Sequence, residues 1–372
     1  MKKGLYIHIP FCVKKCRYCA FNSYENMYGY SNEYIDTVIR HIKSLKKEEI
    51  DTIYIGGGTP SSIDKELIML LMKSIYENFD VSIKSEITIE ANPKTLDDEK
   101  IEAYLKSGIN RISIGSQSFC DDELKTLGRI HTSNDIEKAV KIAKQGGFEN
   151  INLDIIYALF NQNEESLKET IEKTLFLSPT HISCYGLMIE EGTKLFDDVK
   201  KGKYVPLKDE MYAKMYEIIC DTLNKNGFLH YEISNFAKEE KYKSRHNLKY
   251  WQAGEYFGIG AGASGYENGK RYTNCDDILG YITDFSQKHD VENLTLNDKM
   301  SEYMILNLRL LDKGVDEAEF KDKFNLSMFD VFENELKYHI EKTKMLVKNK
   351  NKITLSKNAY YVSNAILCDF MI

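Results

Sequence analysis

The stretch Gly4-Leu-Tyr-Ile-His-Ile-Pro-Phe-Cys12-Val-Lys-Lys-Cys16-Arg-Tyr-Cys19 decides the fold. Leu5–Ile9 is a short β-branched run that reads as a strand, and straight after it three thiols follow with gaps of three and two residues. Further runs of the same kind stand at Thr52–Ile55, Glu86–Glu90, Arg111–Ile114, Asn150–Asp154 and His181–Leu187. Between them, Asn32–Leu45, Asp64–Asn78, Asp97–Ser107, Ser133–Gln145 and Asn163–Leu177 carry helical periodicity, as does Lys208–Asn226 beyond the last. Each is long enough to cross over between parallel strands, so an α/β sheet or partial barrel is expected.

Chemistry in such folds sits at the C-terminal ends of the strands, and the unusual residues of this chain fall there. Cys12 follows the first strand, Gly56-Gly57-Gly58-Thr59-Pro60 the second, Glu90-Ala-Asn-Pro93 the third and Gly115-Ser-Gln117 the fourth, while Asp154 closes the fifth. Beyond about Ala237 the pattern turns to Gly- and Tyr-rich loops, and after roughly Asp298 to helices with a β-like tail. The expected organisation is a core over residues 1–237, a connecting segment over 238–297 and a smaller, mainly helical C-terminal domain over 298–372.

The 372 residues suffice for a large core, and the net charge of −7 is spread over mixed surfaces, which speaks against a nucleic-acid partner. No stretch reaches transmembrane length and the start reads as no signal peptide, so a cytoplasmic protein with reduced thiols is expected. Of the eight cysteines, Cys120, Cys184, Cys220, Cys275 and Cys368 are scattered singly and read as structural.

The other three ask for a metal. Thiolates at this spacing fold around one cluster, and three ligands on a four-iron cube leave one iron open to a small molecule's amine and carboxylate. Structural zinc needs a fourth ligand; His8 is available but precedes the loop, and no second CxxC follows. Tyr18 could shield the cluster or simply pack. The triple glycine lets backbone approach a ligand closely, although tight strand-to-helix turns use the same residues.

These residues resemble the radical S-adenosylmethionine (SAM) superfamily, with its CxxxCxxC loop and glycine-rich segment. Tyr6-Ile-His-Ile-Pro-Phe11, Gly56–Pro60, Glu90–Pro93, Ile114-Gly-Ser-Gln-Ser118, Leu127-Gly-Arg129 with His131, and Asn152-Leu-Asp154 are similar to the HemN/HemW group. That group joins oxygen-independent coproporphyrinogen III oxidases to related heme chaperones. The resemblance implies a radical SAM partial (βα)6 TIM-like barrel with a HemN-type C-terminal domain. It implies a [4Fe–4S] cluster on Cys12, Cys16 and Cys19, and SAM contacts from Tyr6, Gly57, Gly58, Thr59, Glu90, Gln117, Arg129 and Asp154. A reduced cluster would cleave SAM to a 5′-deoxyadenosyl radical.

Two features separate the branches of the group. The oxidases carry a further Cys two positions after the third ligand, where this chain has Phe21, and an N-terminal extension; here the first strand begins almost at residue 1. Arg245-His246-Asn-Leu-Lys-Tyr250-Trp251 matches the HNxxYW motif of the heme chaperones and makes His246, with Tyr250 and Trp251, the expected heme contact. The alternative for His246 is a histidine satisfied by hydrogen bonds in a segment that docks the C-terminal domain. One departure stands after Asp154, where the group usually reads Tyr-Gly-Leu-Pro-Gly-Gln and this chain reads Tyr157-Ala-Leu-Phe160-Asn-Gln162.

The leading expectation is a heme chaperone that binds the cluster, SAM and heme, draws on an electron donor and delivers heme to acceptor hemoproteins. The alternatives are an oxidase of coproporphyrinogen III, another radical reaction on the porphyrin ring, and a zinc-stabilised binding module with no redox role.

Overall fold

The computed structural model describes residues 2–372. Strands β1 (Lys3–Ile9), β2 (Glu49–Gly57), β3 (Asp80–Ala91), β4 (Arg111–Gln117), β5 (Asn150–Tyr157) and β6 (His181–Gly186) lie side by side in chain order, all parallel. Helices α1 (Ser31–Ser44), α2 (Lys65–Asn78), α3 (Asp98–Lys106), α4 (Ser133–Gly146) and α5 (Glu164–Phe176) make the crossovers, and α6 (Asp209–Lys225) follows β6. Most bounds fall within a few residues of the sequence expectation; β3 begins earlier, and β5 runs on past Asp154. Helix starts are chemically marked: Thr132 and Asp135 close a reciprocal capping box at α4, as Asn163 and Ser166 do at α5.

Alternation along the strands separates two environments. Leu5, Ile7, Ile53, Ile55, Ile87, Ile89, Ile112, Ile114 and Leu153 are almost wholly buried in the main hydrophobic cluster. Each contributes about 2 kcal/mol by leaving water. The other face is polar. Register sets Tyr6 beside Tyr54, Tyr54 beside Thr88 and Thr88 beside Arg111; one level along, Glu90 pairs with Ser113, Ser113 with Asn152 and Asn152 with His181.

The sheet does not stop at residue 237. β7 (Leu229–Glu232) and β8 (Asn235–Ala237) form a hairpin whose second strand pairs antiparallel with β6; helix α7 (Arg245–Trp251) follows, and β9 (Tyr256–Ile259) returns to lie parallel to β1. β10 (Ser264–Glu267), β11 (Lys270–Asn274) and β12 (Lys288–Asn293) continue antiparallel, giving twelve strands in the order β12-β11-β10-β9-β1-β2-β3-β4-β5-β6-β8-β7. The Gly- and Tyr-rich segment thus supplies strands to the barrel sheet.

Residues from Leu296 onward build a second core, with Met304, Phe320, Phe332 and Phe370 fully buried beside a three-stranded sheet formed by Val315–Asp316, Leu346–Asn349 and Lys352–Leu355. It joins the barrel through Leu311 N, which donates to Tyr231 O at 3.1 Å, and a bridge from Leu310 to Glu232. Among the described residues no helix is long and apolar enough to cross a membrane.

Candidate functional site

A cleft opens where β1–β5 end. Cys12, Cys16, Cys19 and Tyr18 line it together with Gly57, Gly58, Thr59, Glu90, Gln117, Arg129 and Asp154. The strand ends bring these residues together from far apart in the chain. The cysteine loop is fastened on both sides: Arg17 N donates to Leu127 O at 3.0 Å, and Leu195 N donates to Arg17 O at 2.8 Å.

The glycine segment is locked against the loop. Gly58 N and Thr59 N donate to Ile9 O and Phe11 O at 2.9 and 2.8 Å. A Cβ on Gly58 would stand 2.8 Å from Phe11 O, and Gly57 holds φ +113°, so neither position accepts a side chain without displacement. Thr59 Oγ1 lies 3.6 Å from Cys12 Sγ.

Charge is placed deliberately. Arg129 points one guanidinium nitrogen at Cys16 Sγ, 3.3 Å away, and donates with the other to Gly115 O at 2.7 Å; its Nε is buried without a partner. A cation beside a thiol favours the thiolate, the form that ligates metal. Burial pushes the Cys12 and Cys19 thiols up, a cost that metal coordination removes. Among the described residues no three His, Cys, Asp or Glu side chains converge closely enough to hold one metal ion. A four-iron cube takes one thiolate at each of three corners and does not require the sulfurs to meet at a point.

Across the cleft stand two carboxylates. Glu90 accepts from Tyr54 Oη at 2.7 Å and Gly57 N at 3.0 Å. Burial pushes it up to about 7; the Tyr54 hydrogen bond pulls the other way and Asp154 adds to the rise. Asp154 accepts from Asn152 Nδ2 at 2.8 Å and Ser113 Oγ at 3.2 Å, and burial holds it above the usual carboxylate range. Gln117 enters the cleft because β4 bulges after Ile114, where Gln117 takes φ +67°.

The family model described as the Radical SAM superfamily matches residues 6–174, and that of the HemN C-terminal domain matches residues 294–362. The chain is 36% identical over 369 residues to the heme chaperone HemW of Lactococcus lactis, covering 99% of this chain and 97% of that one. It is 35% identical over 378 residues to the heme chaperone HemW of Bacillus subtilis, covering 99% of each. The chain belongs to the HemW family. Its fold is that of coproporphyrinogen III oxidase HemN from Escherichia coli, a radical SAM enzyme, with a TM-score of 0.87 at 20% identity over 100% of this chain and 90% of that one.

Not every expected residue of this HemW-family chain reaches the cleft. Tyr6 sits one level below it, its hydroxyl 2.9 Å from His8 Nδ1, because strand pairing sets it beside Tyr54 rather than at the strand end. His246 departs further from expectation. Its ring is 1% exposed, with Nδ1 2.9 Å from Thr52 Oγ1 and Nε2 2.7 Å from Tyr250 Oη. Burial lowers it to about 3, so it is a neutral, fully hydrogen-bonded imidazole with no nitrogen free for iron. The geometry is that of the second reading, a satisfied histidine in a docking segment.

That segment closes the barrel from the side opposite the cleft. Arg245 N and His246 N donate to Glu86 at 3.1 and 3.0 Å, and Lys249 pairs with Asp51 at 2.8 Å. Trp251 lies under the Arg309 guanidinium, 4.5 Å from its ring centre. Tyr250 edges a surface groove with Tyr256, Tyr266 and Arg271, the last already paired with Glu302.

Sequence reading gave no role to the polar residues beneath the cleft: Tyr54, Arg111, His181, and Asn152, which it quoted only as part of a motif. A signal existed. On a strand, side chains two apart share a face, and Asn152 stands two before Asp154, Arg111 two before Ser113, and His181 two before Ser183.

Proposed function

We propose that this protein is a heme chaperone that carries a [4Fe–4S] cluster on Cys12, Cys16 and Cys19, binds SAM above it, holds heme and passes it to acceptor hemoproteins in the cytoplasm. The observation that carries the reading is full-length similarity to proteins named as heme chaperones, joined to three thiols grouped around a cleft with Arg129 and two buried carboxylates. The residues suit their ligands. Glu90 and Asp154 offer acceptors to the amine and hydroxyls of SAM, Arg129 a cation, and Gly57–Thr59 a backbone surface with no Cβ in the way. When bound, the cluster supplies an electron, drawn from an external donor, and SAM supplies a cleavable sulfonium.

Phe21, 69% exposed at the cleft mouth, stands where the oxidases place a further cysteine, and it leaves an apolar wall there. A flat macrocycle is suited to such a wall. Heme titration of anaerobically reconstituted protein, with iron and sulfide analysis and coproporphyrinogen III turnover on the same sample, tests the reading. Stoichiometric heme, a cluster lost in Cys16→Ser, and heme release to an apo-hemoprotein are expected. Turnover of coproporphyrinogen III at enzymatic rates, or zinc in place of iron and sulfide, overturns it.

A further inference from the structure

The polar face inside the barrel contains two unbroken lines of contact running from the cleft to the closing helix. The first starts at Glu90, which accepts from Tyr54 Oη at 2.7 Å; the Tyr54 ring stacks on His246 at 5.3 Å between centroids, and His246 bonds to Thr52 and Tyr250. The second starts at Asp154, which accepts from Asn152 at 2.8 Å. Asn152 Oδ1 lies 2.6 Å from His181 Nδ1, His181 Nε2 lies 2.8 Å from Tyr231 Oη, and Tyr231 Oη accepts from Ser244 N at 3.1 Å. Ser244 is the N-cap of α7.

Both lines end on one helix. Further polar contacts hold it, from Glu86 at its N-terminus to Lys249 with Asp51 and Lys2 O, while the Tyr250 ring packs edge-on against Tyr256. We infer that α7 and the SAM pocket form one coupled unit, in which Tyr54 and His181 are positioning residues that transmit the seating of α7 to Glu90 and Asp154. The motif at His246–Trp251 then governs how firmly SAM is held, and SAM governs how firmly α7 is seated, because coupling between two sites is reciprocal. This inference rests on the SAM reading of the cleft.

Coupling requires more than a line of contacts, so the test measures it from both ends. The first arm uses the wild-type, full-length, anaerobically reconstituted chain. Hydrogen exchange of residues 244–251 is followed with and without SAM, and added protection is expected where α7 amides bond within the helix.

The second arm is SAM affinity against pH for wild type, Tyr54→Phe, His181→Gln and the two combined, with Phe332→Ala in the C-terminal core, outside both lines of contact, as a control for general destabilisation. The groups facing Glu90 are Tyr54, Asp154 and Arg111, while Tyr6 and Tyr250 feel its charge. Wild-type affinity should fall as pH drops through about 7, where Glu90 takes up its proton. Removing the Tyr54 hydroxyl removes a bond to the charged form, so the midpoint moves to higher pH and affinity above it weakens roughly three- to tenfold. His181→Gln should weaken affinity without moving that midpoint, and the double variant should lose less than the two singles multiplied, since both act through one helix. Phe332→Ala should change neither affinity nor midpoint.

SAM binding with no change in exchange at 244–251, or Tyr54→Phe with wild-type affinity and midpoint, overturns the coupling alone. Failure of the wild-type chain to bind SAM overturns the functional reading and the coupling with it.

Discussion

Ala158 holds φ +59°, in the left-handed region, with its side chain 6% exposed. A non-glycine residue there costs about 1–2 kcal/mol, against roughly 0.5–1 kcal/mol that glycine loses in backbone entropy. Ala158→Gly should therefore stabilise the protein by about 0.5–1 kcal/mol, read as a higher urea midpoint at unchanged m-value. An unchanged or lower midpoint would show that the loop relaxes its strain by other means. The sequence raised this position as a departure from the group's glycine; the structure shows that the turn keeps its left-handed residue and tolerates Ala. Buried Glu123 steadies it, accepting from Gln162 Nε2 and Ser166 Oγ at 3.1 Å each.

At the scale of elements, α7 is short, and its first turn relies on a carboxylate from another part of the chain. Glu86 accepts both Arg245 N and His246 N, two donors that a helix start otherwise leaves unmatched. Glu86→Ala should destabilise the protein by about 1–3 kcal/mol by leaving the buried His246 N and the half-buried Arg245 N without their acceptor, measured by chemical denaturation, and should raise exchange in 244–251 before that in β1–β5. Uniform loss across all strands would place the effect elsewhere. The β1–β6 strands and their crossovers were legible because β-branched runs and helical periodicity are local signals. Helix α7 as a plug was not, since its partners Glu86, Thr52 and Asp51 lie about 160 to 200 residues away.

For the molecule as a whole, an interior of buried neutral histidines sets the acid limit. His41, His131 and His230 are lowered to about 4 and His246 to about 3, in each case chiefly by burial; His8 and His181 are lowered too. The unfolded chain takes up these protons near pH 6.5 and the folded one does not, so the stability they contribute is present above that pH and lost as pH falls toward 4. Each can add up to about 1.4 kcal/mol per pH unit in that window. Tm should drop steeply below about pH 6, and His230→Gln should lessen the slope; a Tm that is flat down to pH 5 would refute the account. The two cores give a second expectation. Phe332→Ala should cost about 3–5 kcal/mol in the C-terminal body while leaving iron bound by the reconstituted protein unchanged.

The sequence by itself determined the order of strands and helices, the three thiols in a loop after the first strand, the glycine segment facing them and the carboxylates at strand ends. These depend on local propensity, spacing and the rule that parallel α/β folds place chemistry at strand C-termini. Only the tertiary structure decided the rest: that residues 256–293 extend the barrel sheet, that Tyr6 lies below the cleft, and that His246 is sealed between Thr52, Tyr54 and Tyr250. The physical reason is common to all three. Whether a polar side chain faces a ligand or a hydrogen-bond partner depends on which distant strand register and packing set beside it, and no local pattern in the chain records that choice.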